Sequence, residues 1–91
     1  MCVLRFKTHY LLHEYMKYTR IKELRENTDL NQTQFAAILG MSQTGYSKYE
    51  TGENDVPTSI LIKIADYYNT STDYILGRTD KKAPYPPSNF S

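Results

Sequence analysis

The sequence predicts an all-α fold, in which five short helices form one compact domain between an N-terminal extension and a proline-rich C-terminal tail. Apolar residues recur at helical spacing along most of the chain, and sustained two-residue alternation is absent beyond the extreme N-terminus. Residues that favour helix ends, mainly Ser, Asn, Gly and Pro, divide the apolar stretches into short pieces. A chain of 91 residues is long enough for one such domain with a single core.

The first two helices are predicted from apolar stripes and from the residues that bound them. The first has an i, i+3 stripe and ends near Asn27–Thr28; the stripe is Tyr18, Ile21 and Leu24. The second begins after Asn31, a good N-cap, and ends at Gly40, which suits the left-handed residue that closes helices. Its buried side is predicted to consist of Phe35, Ala36, Ile38 and Leu39.

The third and fourth helices follow the same logic. Ser42 caps the third helix, and Gly52 ends it after about three turns. Pro57 and Thr58 signal the start of the fourth helix. Its apolar stripe consists of Ile60, Leu61, Ile64, Ala65 and Tyr68.

A short fifth helix and a tail complete the predicted domain. Ser71 or Thr72 can cap this helix, which runs through residues 75–76 and stops at Gly77. The following segment, residues 78–91, contains three prolines and is predicted to be an extended tail.

Residues 1–19 form the N-terminal extension, for which two structures fit the sequence. A helix over roughly residues 8–18, using Leu11, Leu12 and Tyr15, is favoured. A short strand over Val3–Phe6 that pairs with a partner chain is the alternative, and Met16 lies where a shorter version of the domain could start.

Composition excludes several classes of protein. No apolar run approaches the ~18 residues of a membrane span, and the charged N-terminus lacks a signal-peptide core, so a cytoplasmic protein is expected. Cys2 is the single cysteine and has no disulfide partner in the chain. With 11 basic and 10 acidic residues the formal net charge is only +1. Any binding to nucleic acid must therefore depend on the placement of charges or on dimerisation.

The third helix has two chemically different sides. On a helical wheel, Gly45, Tyr46 and Tyr49 fall on one side, and Glu50 lies at its edge. The other side is short and polar and carries one positive charge; it consists of Gln43, Thr44, Ser47, Lys48 and Thr51. A bulky aromatic side is expected to pack, so the polar side is expected to face outward.

This polar side matches the hydrogen-bonding groups in the major groove of DNA. Gln can bind adenine in a bidentate manner, Lys can reach the acceptors of guanine, and Thr can contact the thymine methyl group. The base-reading residues are therefore predicted to be Gln43, Thr44, Ser47 and Lys48. The predicted phosphate-binding residues are Asn31 and Gln32, at the N-terminus of the second helix, together with Thr51. Replacing Gln32 with Ala is then expected to weaken binding to all sequences alike.

The stretch QTQFAAILGMSQTGYSKYET, residues 32–51, resembles the helix-turn-helix of the phage Cro and repressor family, also called XRE-type. The family pattern has Gln first, a small residue fifth, Gly ninth, and bulky residues fifteenth and eighteenth. These positions are held by Gln32, Ala36, Gly40, Tyr46 and Tyr49. The resemblance extends over about residues 20–80 and implies a λ-repressor-like, five-helix DNA-binding domain at residues 20–77.

The resemblance also implies roles for individual residues. Arg25 and Glu50 occupy positions similar to those of an internal ion pair between the first helix and the end of the recognition helix. Two departures from the family pattern are Tyr46, which replaces a more usual aliphatic residue, and Gly45 inside the helix. Glu53 and Asp55 are acidic in a loop that often approaches the DNA backbone in relatives.

Other motifs favour ordinary structural interpretations. The basic residues at 17, 20, 22 and 25 alternate with Glu23 and Glu26, which favours a salt-bridged, solvated helix face. Five tyrosines are expected to fill the edges of the core rather than to stack on bases; these are Tyr46, Tyr49, Tyr67, Tyr68 and Tyr74. His9 and His13 have i, i+4 spacing, but no second cluster supports a metal site. The central domain lacks the residues of a catalytic site, so neither enzyme activity nor a cofactor is expected.

The sequence thus predicts a homodimeric transcription regulator, acting as a repressor, with residues 42–51 in the major groove of a pseudo-palindromic double-stranded DNA operator. The fifth helix, the tail or the N-terminal extension is expected to supply the dimer surface, and a regulatory protein partner is possible. The main alternative is the same fold acting as an antitoxin- or antirepressor-like protein-binding module, which the near-neutral charge favours. A metal-sensing regulator that uses the histidines is a more remote alternative.

Overall fold

The computed structural model describes residues 18–87. These residues contain five helices and no strand: α1 (Thr19–Asn27), α2 (Gln32–Leu39), α3 (Gln43–Glu50), α4 (Thr58–Tyr67) and α5 (Thr72–Ile75). The predicted five-helix, all-α fold is confirmed for this part of the chain. The predictions for a helix over residues 8–18, for a strand over Val3–Phe6 and for the histidine pair lie outside the described residues. Within residues 18–87, none of the helices has the length and hydrophobicity that crossing a membrane requires.

Side-chain caps fix where α2 begins. The Asn31 carboxamide oxygen accepts a hydrogen bond from the backbone N–H of Gln34 at 2.7 Å. The Gln34 carboxamide oxygen in turn accepts from the backbone N–H of Asn31 at 2.9 Å. This reciprocal capping box satisfies N–H groups that have no partner inside the helix. At the other end of α2, Gly40 has φ of 74°, in the left-handed region that the sequence predicted for it.

Serine caps begin α3 and α5, and residues in the left-handed conformation follow α1 and α4. Ser42 and Ser71 each accept a hydrogen bond from a backbone N–H three residues later, which starts α3 and α5. The chain after α1 and α4 turns through Asp29 and Asn69, with φ of 60° and 52°. Short polar residues tolerate this left-handed conformation better than other non-glycine residues do. Neither position was identified from the sequence.

The core is centred on Phe35 of α2, whose ring packs against aromatic rings of α3 and of the end of α4. Its ring lies 5.3 Å from the Tyr46 ring and 5.7 Å from the Tyr68 ring, between centroids. The largest fully buried side chains are Tyr46, Phe35, Ile21, Leu39, Ile64 and Ile75. Edge-to-face ring contacts add to the free energy gained from burying this apolar surface.

Two apolar residues are more exposed than the sequence predicted. Ile38 is 42% exposed, although its spacing placed it on the buried side of α2. It lies about 100° around the helix from Leu39, and the other helices that the structure describes cover the side that bears Phe35, Ala36 and Leu39. Tyr67, predicted at a core edge, is 50% exposed while its ring rests 6.0 Å from that of Phe35.

The sequence predicted a salt-bridged, solvated basic face on α1, and both arginines of this helix do form salt bridges, but the predicted solvation is wrong for them. Arg20 donates hydrogen bonds to the carbonyl oxygens of Tyr74, at 2.8 Å, and Thr79, and to the Asp80 carboxylate at 2.6 Å. Its guanidinium carbon also lies 4.2 Å from the centre of the Tyr74 ring. Arg20 therefore attaches α1 to α5 and to the start of the tail, and Arg25 is buried.

Candidate nucleic-acid interface

The turn between α2 and α3 sets the relative position of these helices. Beyond Gly40, the backbone N–H of Met41 donates to the carbonyl oxygen of Ala36 at 2.9 Å, which closes α2. Ala36 itself is buried between the helices, where a larger side chain would force them apart. Two residues after the glycine, Ser42 starts α3.

α3 has the two sides that the helical wheel predicted. Tyr46 and Tyr49 are buried in the core. On the outer side Gln43, Thr44 and Thr51 are exposed, while Ser47 and Lys48 are half-buried. The side chains of Thr44, Ser47 and Lys48 make no hydrogen bond or ion pair within the described residues, so their polar groups are available to a ligand.

The end of α3 is joined to α1 by an ion pair between Arg25 and Glu50. Arg25 donates from Nε to Glu50 Oε2 at 2.6 Å and from Nη2 to Oε1 at 3.2 Å, and its Nη1 donates to the carbonyl oxygen of Leu30 at 2.8 Å. The Glu50 side chain is only 4% exposed. The helical wheel placed Glu50 at the edge of α3, but packing of α1 against α3 encloses its carboxylate.

Two further side chains hydrogen-bond to this carboxylate. Tyr46 donates from its hydroxyl to Glu50 Oε2, and Gln32 donates from Nε2 to Oε1 at 3.0 Å. Burial by itself raises the pKa of Glu50, but the hydrogen bonds from Arg25, Tyr46 and Gln32 outweigh it and hold this pKa below its usual value. Glu50 is therefore ionised at neutral pH, and all its donors stabilise the charged form.

The carboxylate also accounts for the departure from the family pattern at position 46. A phenol that is fully buried needs a hydrogen-bond partner, and the Glu50 carboxylate, one helical turn after Tyr46, accepts its hydrogen bond. Burial, followed by the bond to the negatively charged Glu50, raises the pKa of Tyr46 far above its ordinary value. Tyr46 therefore stays protonated and donates its hydroxyl hydrogen to the Glu50 carboxylate.

The structure brings together Gln32 and Gln43, to which the sequence assigned separate roles. Gln43 donates from Nε2 to Gln32 Oε1 at 2.6 Å. Gln43, Gln32 and Glu50 thus form a continuous set of hydrogen-bonded side chains, which we call the glutamine relay. Helical periodicity gave no sign of this contact, because the two glutamines begin different helices.

The other predicted phosphate-binding residues partly serve the protein's own backbone. Asn31 uses its carboxamide oxygen in the capping box and keeps its NH2 group for another partner. The Thr51 hydroxyl donates to the carbonyl oxygen of Lys48 at 3.2 Å. In the loop that follows, Glu53 and Asp55 are exposed. Residues 18–87 bring together no group of three His, Cys, Asp or Glu side chains that could hold a metal ion.

Comparisons with known proteins agree on the central part of the chain. The family model described as Helix-turn-helix matches residues 21–75. The HTH-type transcriptional regulator ImmR of Bacillus subtilis (strain 168) is 36% identical over 61 residues, which are 67% of this chain and 48% of that protein. Antitoxin PezA of Streptococcus pneumoniae is 40% identical over 57 residues, or 63% of this chain and 36% of PezA.

A phage protein is similar to the same degree. The cryptic phage CTXphi transcriptional repressor RstR of Vibrio cholerae is 39% identical over 59 residues, which are 65% of this chain and 53% of RstR. The chain spans about half the length of the curated relatives it matches. No solved structure matches it significantly.

Proposed function

The chain belongs to the phage Cro and repressor (XRE-type) helix-turn-helix family, and on that premise we propose that it binds specific sequences of double-stranded DNA and regulates transcription. The observation that carries this proposal is the polar outer side of α3, which faces away from the two tyrosines buried in the core. Residues 42–51 enter the major groove in this proposal, and α2 lies across the DNA backbone.

Base recognition is assigned to the outer side of α3. Gln43 suits adenine, Lys48 suits the O6 and N7 acceptors of guanine, and Thr44 suits thymine. Ser47 is small and permits close approach of the helix. Three of these four side chains have no internal hydrogen bond within residues 18–87, and Gln43 keeps one N–H and its carbonyl oxygen for a base.

Phosphate contact is assigned to the start of α2 and the end of α3. The first N–H groups of a helix have no partner inside it, and the helix dipole favours an anion there. Asn31 and Gln32 can each add an N–H donor from a side-chain amide, and Thr51 can add its hydroxyl by giving up a 3.2 Å bond. Such contacts fix the position of α3 without selecting a sequence.

We propose further that the protein acts as a homodimer and as a repressor. Residues 18–87 contain eight basic and nine acidic residues, so one copy has little general attraction for DNA. Two copies on a pseudo-palindromic operator, with half-sites about one helical turn apart, supply the missing affinity. The name of the relative RstR, a phage transcriptional repressor, supports repression.

A second candidate function is protein binding of the kind found in antitoxins. PezA, named as an antitoxin, is 40% identical over the matched segment. The acidic residues Glu53 and Asp55, exposed beside α3, disfavour the DNA backbone and suit a basic protein partner.

Selection of bound fragments from random DNA, followed by titration of the best fragment at several salt concentrations, tests the proposal. We expect a palindromic motif and binding that weakens as salt rises. Replacing Gln43 with Ala is expected to relax the preference at one base pair of each half-site. A chain that binds no DNA at low salt but captures a protein supports the second candidate instead.

A further inference from the structure

The glutamine relay connects the buried ion pair to the outer side of α3. Its inner end is Glu50, held by Arg25 at 2.6 Å, and its outer end is the exposed Gln43. Gln32 lies between them, 3.0 Å from Glu50 and 2.6 Å from Gln43. The enclosed carboxylate of Glu50 is therefore connected by hydrogen bonds, through one intermediate residue, to a residue assigned to read a base.

The negative charge of Glu50 decides which way both amides point. An ionised carboxylate can only accept hydrogen bonds, so Gln32 must turn its NH2 group toward Glu50. Gln32 then presents its carbonyl oxygen to Gln43, which must donate from its own NH2 group. If the inner end could also donate, neither amide would have a unique orientation.

We propose that Glu50 is a positioning residue for sequence recognition, which acts through Gln32 to hold the NH2 end of the Gln43 amide inward and its oxygen outward. Tyr46 and Arg25 support this role, because they hold the carboxylate in place from its other side. The consequence for DNA rests on the proposed function, since it requires Gln43 to contact a base.

A fixed amide orientation distinguishes an A·T pair from the reversed T·A pair. The major-groove edge of A·T presents, in order, adenine N7 as acceptor, adenine N6–H as donor, thymine O4 as acceptor and the thymine methyl group. With its NH2 group on the Gln32 side, Gln43 can donate to adenine N7 and accept from adenine N6–H in one orientation of the pair. Reversal places the methyl group and O4 at these positions, and the Gln43 oxygen then faces another acceptor. An amide that could turn over would donate to O4 and tolerate the reversal.

The first experiment needs no DNA. Scalar couplings across hydrogen bonds, measured by NMR on the free protein, identify donor nitrogens and acceptor carbons directly. We expect couplings from the Gln32 side-chain nitrogen to the Glu50 carboxylate carbon and from the Gln43 side-chain nitrogen to the Gln32 carboxamide carbon. The bond from the Asn31 backbone N–H to the Gln34 carboxamide, 2.9 Å long, is the internal reference. Reversed couplings, or none where the reference is detected, overturn the proposal.

The second experiment measures the ratio of affinities for two operators that differ only by reversal of the Gln43-contacted pair. The wild-type protein is expected to prefer one orientation by roughly tenfold. Glu50→Gln and Gln32→Met are each expected to reduce this ratio to about threefold or less. For Gln32 this replaces the expectation from the sequence that loss of its amide weakens binding to all sequences alike, because Gln32 contacts Gln43. Loss of a phosphate contact lowers both affinities equally and leaves the ratio unchanged, so the ratio reports orientation alone.

Gln34→Met is the matched control, because it makes the same substitution two residues away in the same helix. It removes half of the capping box but no member of the relay, and its ratio is expected to equal that of the wild type. Glu50→Gln also weakens a buried ion pair and can prevent folding. In that case the affinity ratio of Gln32→Met tests the positioning role.

The outcomes separate the positioning role from the proposed function. If the wild type has the expected preference and Gln32→Met retains it, the positioning role is refuted while DNA recognition stands. If the wild type binds no DNA, or binds all sequences equally, the proposed function fails. The role of Glu50 in recognition then fails with it, whatever couplings the free protein shows.

Discussion

Replacing Arg25 with Met tests how the buried ion pair stabilises the domain. The substitution removes three hydrogen bonds, two to the Glu50 carboxylate and one to the carbonyl oxygen of Leu30. Glu50 keeps only the neutral donors Tyr46 and Gln32, at a position where its side chain is 4% exposed. Removing one partner of such a pair costs about 3–5 kcal/mol.

That loss is large for a domain of this size. Small domains unfold with free energies of about 5–15 kcal/mol, and 1 kcal/mol corresponds to roughly 4–8 °C in melting temperature. The Arg25→Met protein is therefore expected to melt at least about 12 °C below the wild type at neutral pH. Arg78→Met is the control, because Arg78 is exposed and its side chain has no hydrogen bond or ion pair within the described residues.

The stability contributed by Glu50 should change with pH in opposite directions in the wild type and in the Arg25→Met protein. In the wild type the pKa of Glu50 in the folded state lies below its value in the unfolded state. The stability that Glu50 contributes is therefore complete above the unfolded-state pKa and is lost as pH falls through the folded-state pKa. Without the guanidinium, burial raises the pKa of Glu50, and protonation relieves the unpaired charge. The stability difference between the proteins should thus shrink as pH falls from about 7 toward about 4.

The assay is urea and thermal unfolding followed by circular dichroism at several pH values. A loss below about 1 kcal/mol at neutral pH would show that Glu50 is solvated rather than buried. A difference that stays constant between these pH values would refute the assigned charge state of Glu50, even if the loss at neutral pH is large.

Three smaller effects are expected from the same unfolding measurements. Tyr46→Phe removes one buried donor to the carboxylate and should cost about 1–3 kcal/mol; a cost near zero would mean that the hydroxyl contributes no net bond. Asn31→Ala removes half of the capping box and should cost about 1 kcal/mol, and Thr33→Ala, exposed in the same helical turn, is its control. Gly45→Ala gains about 1 kcal/mol of helix propensity, but its new methyl would lie 3.2 Å from both the Met41 methyl and the Ser42 hydroxyl. Because these neighbours must move by a few tenths of an ångström, we expect a net change within about 0.5 kcal/mol; a gain of the full propensity would show that they move freely.

The positions of the helices and the two sides of α3 could be predicted from the sequence because their causes are local. A capping side chain such as Asn31 or Ser42 bonds to a backbone N–H three residues away, and a glycine such as Gly40 acts on its own backbone. Apolar periodicity likewise needs only the few residues of one helix, and it separated Tyr46 and Tyr49 from the outer residues.

The enclosure of Glu50, the glutamine relay and the attachment of Arg20 to the tail were decided only by tertiary structure. Arg20 and Asp80 are 60 positions apart, and Gln32 and Gln43 are 11 apart across a turn. Arg25 and Glu50 are 25 apart, and their pairing was expected only from the family resemblance, not from any local pattern. Such contacts depend on the angle and distance between helices, which follow from how all the side chains of the core pack together. Helical spacing specifies a direction around one axis, whereas burial also requires another element in that direction. The packing of α1 supplies such an element beside Glu50, whereas none of the helices in residues 18–87 covers Ile38.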